Sequence, residues 1–310
     1  MKIAFIGFLS IILSGSAYAQ QEPGDKVFLF CYFKDNGQDG LHLAYSYDRY
    51  HWTALHHDST FLKPMVGKEK LMRDPCILKG PDGLFHMVWT ASWHGRGIGY
   101  AHSKDLAHWS KQKFIPVMSR EKEAKNCWAP EVFYDRPSGQ YMIYWATTIP
   151  GRFPNSDTSG DEKYNHRIYY TTTKDFLIFS HTKLLYDQGF NVIDATIQRA
   201  DNKYIMFLKD ETLKPVPQKN LHLAFSSHLT YGYGPPSPSI TGNYWAEGPT
   251  VLHTDSQWIV YLDKYNEHTM GAVLSTDLIN WEDISDKIVF PTGTRHGTVF
   301  IVSKAEFDRL

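Results

Sequence analysis

The sequence predicts an all-β fold, a five-bladed β-propeller whose ring is closed by the C-terminal strand joining the N-terminal blade. Three observations predict it. Two kinds of strand-and-turn segment recur in a fixed order, no long stretch carries the 3.6-residue period of a helix, and the first copy lacks a strand that the far end of the chain supplies. Aromatic residues make up 15% of the 310 residues, and ring side chains favour strands.

The first repeat comprises residues 41–52 (LHLAYSYDRYHW), 98–109 (IGYAHSKDLAHW), 168–179 (IYYTTTKDFLIF), 221–231 (LHLAFSSHLTY) and 271–281 (GAVLSTDLINW). Each reads as a short apolar strand, then Ser or Thr, then Asp two residues on, then a closing aromatic. Ser/Thr-x-Asp is turn chemistry, because both side chains bond nearby backbone groups. The fourth copy is the weakest, with His228 where the others carry Asp. The second repeat is a hairpin pattern of strand, Gly/Asp/Pro-rich turn and strand over residues 74–89, 131–145, 194–207 and 247–261. A carboxylate heads each hairpin: Asp74, Glu131, Asp194 and Glu247. Together the repeats make four-stranded units of the propeller type. The first unit, residues 27–55, has no carboxylate-headed strand, and residues 295–302 (RHGTVFIV) are expected to complete it and remove both open sheet edges.

Residues 1–19 read as a secretory signal: Lys2, an apolar run over 3–13 too short to span a bilayer, and the small-x-small site Ala17-Tyr18-Ala19. Residues 20–26 read as a loose segment and 27–310 as a single propeller domain. The mature chain is therefore expected in a periplasm or outside the cell, with no membrane attachment after signal cleavage. A formal net charge of −1 with no long charge run argues against nucleic acid as a partner and against a polybasic membrane patch. Cys31, Cys76 and Cys127 form no C-x-x-C pair, which argues against structural zinc, and they lie in apolar runs where buried free thiols are expected.

In a propeller the innermost strands line the axis, so Asp74, Glu131, Asp194, Glu247 and His296 are expected to converge in one cavity. Like charges and burial raise carboxyl pKa values, so function or a cation must maintain such a cluster. Two chemistries fit: glycosidic cleavage by a carboxylate pair, or calcium binding by oxygen ligands. Trp89, Trp93, Trp128, Trp145 and Trp245 lie near the acid-bearing tips and favour a sugar, on whose rings they could stack.

At these residues the chain resembles glycoside hydrolase family 43 and the five-bladed propeller clan around it, over about residues 27–303. Arg73-Asp74-Pro75 resembles the family's Asp-Pro strand, which implies Asp74 as general base. Val192-Ile193-Asp194-Ala195 resembles its middle Ile-Asp motif, which implies Asp194 as the group that tunes the acid's pKa. Ala246-Glu247-Gly248-Pro249 resembles its Glu-Gly-Pro motif, which implies Glu247 as general acid, kept protonated by the negative charge of Asp194. Trp128-Ala129-Pro130-Glu131 resembles a Trp-Ala-Pro-Asp motif with Glu131 as the longer side chain in the pocket, and Arg295-His296-Gly297 resembles the family's Arg-His-Gly. The chain departs from the family's usual order in that a whole blade precedes the Asp-Pro strand.

The resemblance implies inverting release of α-L-arabinofuranose or β-D-xylose from oligo- or polysaccharide. Another specificity of the clan (galactofuranoside, galactan or anhydrogalactose) and a non-catalytic sugar-binding propeller stand as alternatives. No cofactor is required; a structural Ca2+ at the axis, reached by His296 through water, is compatible with the pattern. The insert at 149–167 is expected to overhang the pocket, with Arg152, His166 and Arg167 as hydroxyl contacts, while Lys209, Asp210, Glu211 and Asp263 are expected on the rim.

Overall fold

The computed structural model describes residues 25–254 and 256–310. The expected signal at 1–19 and most of the loose segment at 20–26 lie outside the described residues. Five antiparallel sheets surround one axis. Blade 1 joins Thr298–Ser303 to Lys26–Tyr32, His42–Ser46 and Thr53–Ala54; blade 2 is Arg73–Lys79, Phe85–Thr90, Ile98–Ser103 and Lys113–Ile115. Blade 3 is Trp128–Asp135, Gln140–Thr148, His166–Thr173 and Lys183–Tyr186; blade 4 is Val192–Ala200, Lys203–Asp210 and Asn220–Ser226. Blade 5 is Glu247–Thr254, Gln257–Lys264, Thr269–Ser275 and Glu282–Asp283.

The seam falls where the sequence places it. Thr298 pairs with Cys31 and Ser303 with Lys26, so the C-terminal strand is the innermost strand of blade 1. Ser303 then caps the short helix Lys304–Phe307 through a reciprocal bond with Glu306.

Blade 4 has three strands rather than the expected four. After Asn220–Ser226 the chain carries Pro235, Pro236 and Pro238, which have no N–H for a ladder. Only scattered bonds tie this segment to the blade, Ser237 N to the Leu223 carbonyl (2.7 Å) and Ile240 N to that of Leu221 (2.8 Å). The turn before it is the one with His228. In the other four copies Asp48, Asp105, Asp175 and Asp277 each accept two backbone N–H bonds through Oδ1 and fix the turn toward an outer strand.

The apolar core lies between the blades. Each of five buried clusters joins two neighbours: for example, Leu29 and Val27 of blade 1 meet Ile77 and Phe85 of blade 2, and Phe30 of blade 1 meets Leu252 and Tyr261 of blade 5. Cys31, Cys76 and Cys127 are free thiols inside this packing. None of the described helices is long and apolar enough to cross a membrane.

Candidate active site

One irregularity recurs at the inner tip of four blades. The pairing of the first two strands slips between Arg73 and Cys76, between Trp128 and Glu131, between Ile193 and Thr196, and between Glu247 and Thr250. Each slip is a β-bulge with a left-handed residue, at Asp74 (φ 52°), Ala129 (φ 46°), Asp194 (φ 52°) and Gly248 (φ 59°). Non-glycine residues rarely adopt this conformation, and it re-aims the side chain from the sheet toward the axis.

The bulge therefore sets the true register of the tips. Asp74 and Asp194 occupy the bulge itself, Glu247 stands one residue before it, and Glu131 two residues after its counterpart Ala129. The four acids are not equivalent, contrary to the expectation from the repeat. Glu131 sits where Cys76 and Thr196 sit, buried between blades. Tyr144 Oη donates to Glu131 Oε2 at 2.9 Å, and burial lifts the Glu131 carboxyl to about 7. It lies beneath the pocket rather than among its lining residues, so it is not the longer side chain in the pocket that the sequence suggests.

Asp74, Asp194, Glu247, Arg295 and His296 line one pocket of about 460 Å³, with Arg73, Trp93 and Trp128 at its sides. Thr90 Oγ1 donates to Asp74 Oδ2 at 2.7 Å and accepts from Ala129 N–H at 2.8 Å, so the bulge of blade 3 steadies the acid of blade 2. The bulge of blade 5 does the same for blade 4, as Gly248 N–H donates to Asp194 Oδ2 at 3.1 Å. Glycine is required there twice over: φ is positive, and a Cβ would come within 2.3 Å of the His296 ring.

His296 Nδ1 stands 3.4 Å from Asp74 Oδ1 and 3.9 Å from Asp194 Oδ2. Burial opposes its charge, but Asp194, Asp74, Glu247 and Glu131 outweigh burial and raise the imidazole above its ordinary value. Burial also lifts Asp194 to about 6, with Glu247 and Asp74 adding to it against His296 and Lys209.

Glu247 differs from what the sequence suggests. Burial pushes its pKa up, but Lys209 Nζ donates to Oε2 at 3.1 Å and Arg295 Nη2 to Oε1 at 3.2 Å, and these cations hold it below its ordinary value. In the free pocket Glu247 is thus an ionised bridge, not the protonated acid expected. Arg295 is itself fixed by Asp263, whose Oδ2 accepts from Nε at 2.6 Å and from His296 N–H at 3.3 Å. Lys209 also meets Glu211 Oε2 at 2.7 Å.

Thr90, Lys209 and Asp263 were not identified as partners of the acids. Lys209 and Asp263, expected on the rim, are buried. The signal was present: Thr90, Lys209 and Asp263 pair with Arg73, Ile193 and Glu247, one position on the second strand of each blade. Asn36 was also missed; its Oδ1 accepts from Trp93 Nε1 at 2.9 Å.

Among the other expected contacts, Arg73 lies over the rings of Trp93 (4.3 Å) and Phe33 (4.5 Å) at the mouth. Trp89 and Trp145 are core residues, fully buried, because each points to the opposite face from its axis-side neighbour. Trp245 packs near Tyr265 (6.0 Å) and Lys219 (5.7 Å) and does not line the pocket. Arg152 forms a two-pronged ion pair with Glu121 (2.7 and 3.1 Å) at the surface. Arg167 is buried and ties the insert together through Asp187 (2.5 Å), Ser156 (2.8 Å) and Asn165 (3.0 Å), leaving it no role at a ligand. His166 lines a second chamber beside the pocket, together with Trp93, Trp128 and Tyr164.

Among the described residues, no three His, Cys, Asp or Glu side chains are grouped to hold an ion. His296 Nδ1 stands between the carboxylates of Asp74 and Asp194, which raise the imidazole's pKa.

Carboxylates from three blades of a five-bladed ring meet in one open pocket, and comparison with known proteins gives the family. The chain belongs to the glycosyl hydrolase 43-related family, whose profile, described as "Probable glycosyl hydrolase domain", matches residues 25–308. An alpha-L-arabinofuranosidase of Bifidobacterium longum is 27% identical over 127 residues, which is 37% of this chain and only 12% of that relative's length. The crystal structure of an alpha-L-arabinofuranosidase from Lactobacillus brevis superposes with a TM-score of 0.54 at 19% identity, over 68% of this chain and 72% of that one. A family 43 beta-1,3-galactosidase superposes with a TM-score of 0.58 at 13% identity, over 82% of this chain and 55% of that one. At these identities the superpositions show a shared fold.

Proposed function

We propose that this protein is an inverting glycoside hydrolase that releases a terminal sugar, with α-L-arabinofuranose first and β-D-xylose second. The observation that carries this reading is the meeting of Asp74, Asp194 and Glu247 in one polar pocket, with Asp74 and Glu247 in different surroundings. Asp74, fixed through Oδ2 by Thr90, takes a proton from a water that attacks the anomeric carbon. Glu247 delivers a proton to the leaving oxygen as the glycosidic bond breaks, and an inverting pair needs room for that water between its carboxyls.

Glu247 must therefore gain a proton after the free state. A bound sugar expels water and draws Lys209 and Arg295 toward its own oxygens, and both changes raise the carboxyl. The Glu247 charge raises Asp194, and the same repulsion favours a proton on Glu247 while Asp194 is ionised. Two carboxylates and a water suffice for this reaction without a cofactor. The arabinofuranosidase relative favours that sugar, and the galactosidase fold neighbour puts galactosides in the same substrate panel.

The test is a panel of 4-nitrophenyl arabinofuranosides, xylosides and galactosides, followed by proton NMR of the first-formed anomer. Inversion on one of these sugars is expected; retention, or no turnover on any sugar, would overturn the reading. Export through residues 1–19 is part of the same proposal, and mass spectrometry should find a mature N-terminus near Gln20.

A further inference from the structure

Six charged side chains of alternating sign run in one connected chain beside the axis. Lys219 pairs with Glu211 Oε1, and Glu211 Oε2 lies 2.7 Å from Lys209 Nζ. Lys209 pairs with Glu247 Oε2 (3.1 Å), Glu247 Oε1 with Arg295 (3.2 Å), and Arg295 with Asp263 (2.6 Å). Lys209 and Arg295 hold Glu247 directly. Glu211 and Lys219 stand one and two steps further out, with Lys219 buried and Glu211 among the residues that line the pocket.

The backbone places Glu211 for this contact. It follows the second strand of blade 4, Lys203–Asp210, and its N–H donates to the Asn191 carbonyl at 2.8 Å, just ahead of the first strand Val192–Ala200. Its carboxylate is then fixed from the far side by Lys219. Lys209 is 1% exposed, so water cannot share its charge. Among the described residues its ammonium meets the carboxylates of Glu211 and Glu247 and the Tyr265 ring at 4.5 Å. A buried cation between two carboxylates divides its attraction between them, so whatever draws it toward one withdraws it from the other. Glu211 is the nearer of the two.

We propose that Glu211 is a positioning residue for the proton donor: it competes with Glu247 for the Lys209 ammonium, and by taking the lysine when the pocket fills it lets Glu247 accept a proton from solvent. This rests on the hydrolase reading above and supplies the step that reading needs, the passage of Glu247 from ionised to protonated. Glu247 faces other charges as well. Beyond burial, Lys209, Arg295 and His296 favour its ionised form, while Asp194 and Asp263 repel it. Asp74 lines the same pocket, and the Tyr265 hydroxyl feels the Glu247 charge. Glu211→Gln leaves all of these groups in place.

The experiment measures kcat/KM against pH on the methyl glycoside of the sugar that the panel identifies, because a methoxide leaving group needs its proton. In Glu211→Gln the lysine has one carboxylate left, so Glu247 should lose its proton earlier and the basic limb should move down by about one pH unit. In Lys219→Met the Glu211 carboxylate turns wholly to Lys209, and the limb should move up. A double-mutant cycle separates this route from plain charge: in the Lys209→Met background, Glu211→Gln should move the limb by less than about a third of its shift in the unmodified enzyme. A limb that stays or rises in Glu211→Gln, one that does not rise in Lys219→Met, or a Glu211→Gln shift of full size with the lysine gone would each end the proposal. If the unmodified protein cleaves none of the glycosides, the hydrolase reading fails separately. Carbon NMR titration of the Glu247 carboxyl, assigned by its loss in Glu247→Gln, then decides the role of Glu211: a lower midpoint in Glu211→Gln that disappears in the Lys209→Met background supports it, and an unchanged midpoint refutes it.

Discussion

Lys209 of blade 4 reaches across to blade 5 and donates to Glu247 Oε2 at 3.1 Å, while its ammonium lies 4.5 Å from the Tyr265 ring. The residue expected to give a proton is thus paired with a buried cation that favours its ionised form. Burial works against the Lys209 charge, but Glu247, Glu211, Tyr265 and Asp194 outweigh it and keep the lysine well above its ordinary value. The free site stores negative charge at Glu247 and keeps protons on its neighbours.

Lys209→Met removes the cation, so Glu247 should hold its proton to higher pH. The basic limb of kcat/KM against pH reports the acid of the free enzyme and should move upward. A limb that stays in place or moves down would show that another group sets it.

Glu247→Gln and Asp74→Asn should separate by leaving group. An aryl glycoside with an easily departing group needs little protonation, so Glu247→Gln should lose far less rate on it than on a natural linkage. Asp74→Asn should lose on the order of 10²–10⁴ on both, because both need an activated water. Azide, which needs no deprotonation, should restore part of the Asp74→Asn rate. Equal losses for Glu247→Gln on both substrates would remove it as the acid.

Asp194→Asn takes away one negative neighbour of Glu247 and His296. Both should then release their protons at lower pH, and the basic limb should move down, opposite to Lys209→Met. Titration of the His296 imidazole by NMR gives a second reading of the same change.

Glu131 makes stability depend on pH. Its carboxyl is raised from 4.5 to about 7 in the folded chain, so the folded state binds a proton that the unfolded state releases. Stability must fall as pH rises through that window and stay lower above it. Glu131→Gln keeps an acceptor for Tyr144 and has no charge to bury. Its stability relative to the unmodified protein should rise between pH 5 and pH 8 by on the order of 3 kcal/mol, measured by urea unfolding at each pH. A constant difference across that range would contradict the assignment.

Much of this was legible in the residues. Strand order and the seam follow from turn chemistry, and carboxylates at strand heads pointed to an acidic axis, while the choice of Asp74, Asp194 and Glu247 among four such acids came from the family resemblance. The bulge was not legible, because one inserted residue leaves no mark in composition, and it alone separates Asp74 at the axis from Glu131 beneath it. Trp89 and Trp145 were misplaced by one step of a two-residue alternation, which exchanges axis for core. Lys209 and Asp263 were visible as polar ends of apolar strands, but their reach into the next blade depends on the ring, which no single hairpin encodes. Blade 4's missing strand was foreshadowed by His228 and by the prolines that follow.

Arg295 and His296, the counterions of the pocket, stand three and two positions before the closing strand Thr298–Ser303. Ring closure and charge balance are therefore one event. Before that strand docks, Asp74, Asp194 and Glu247 face one another with Lys209 as their chief cation, and their repulsion opposes the nearly complete ring. Docking relieves the repulsion and completes the pocket together. A partly unzipped molecule consequently meets an electrostatic penalty at its centre as well as a lost strand at its edge, so the chain should pass from active to inactive without a half-open working form.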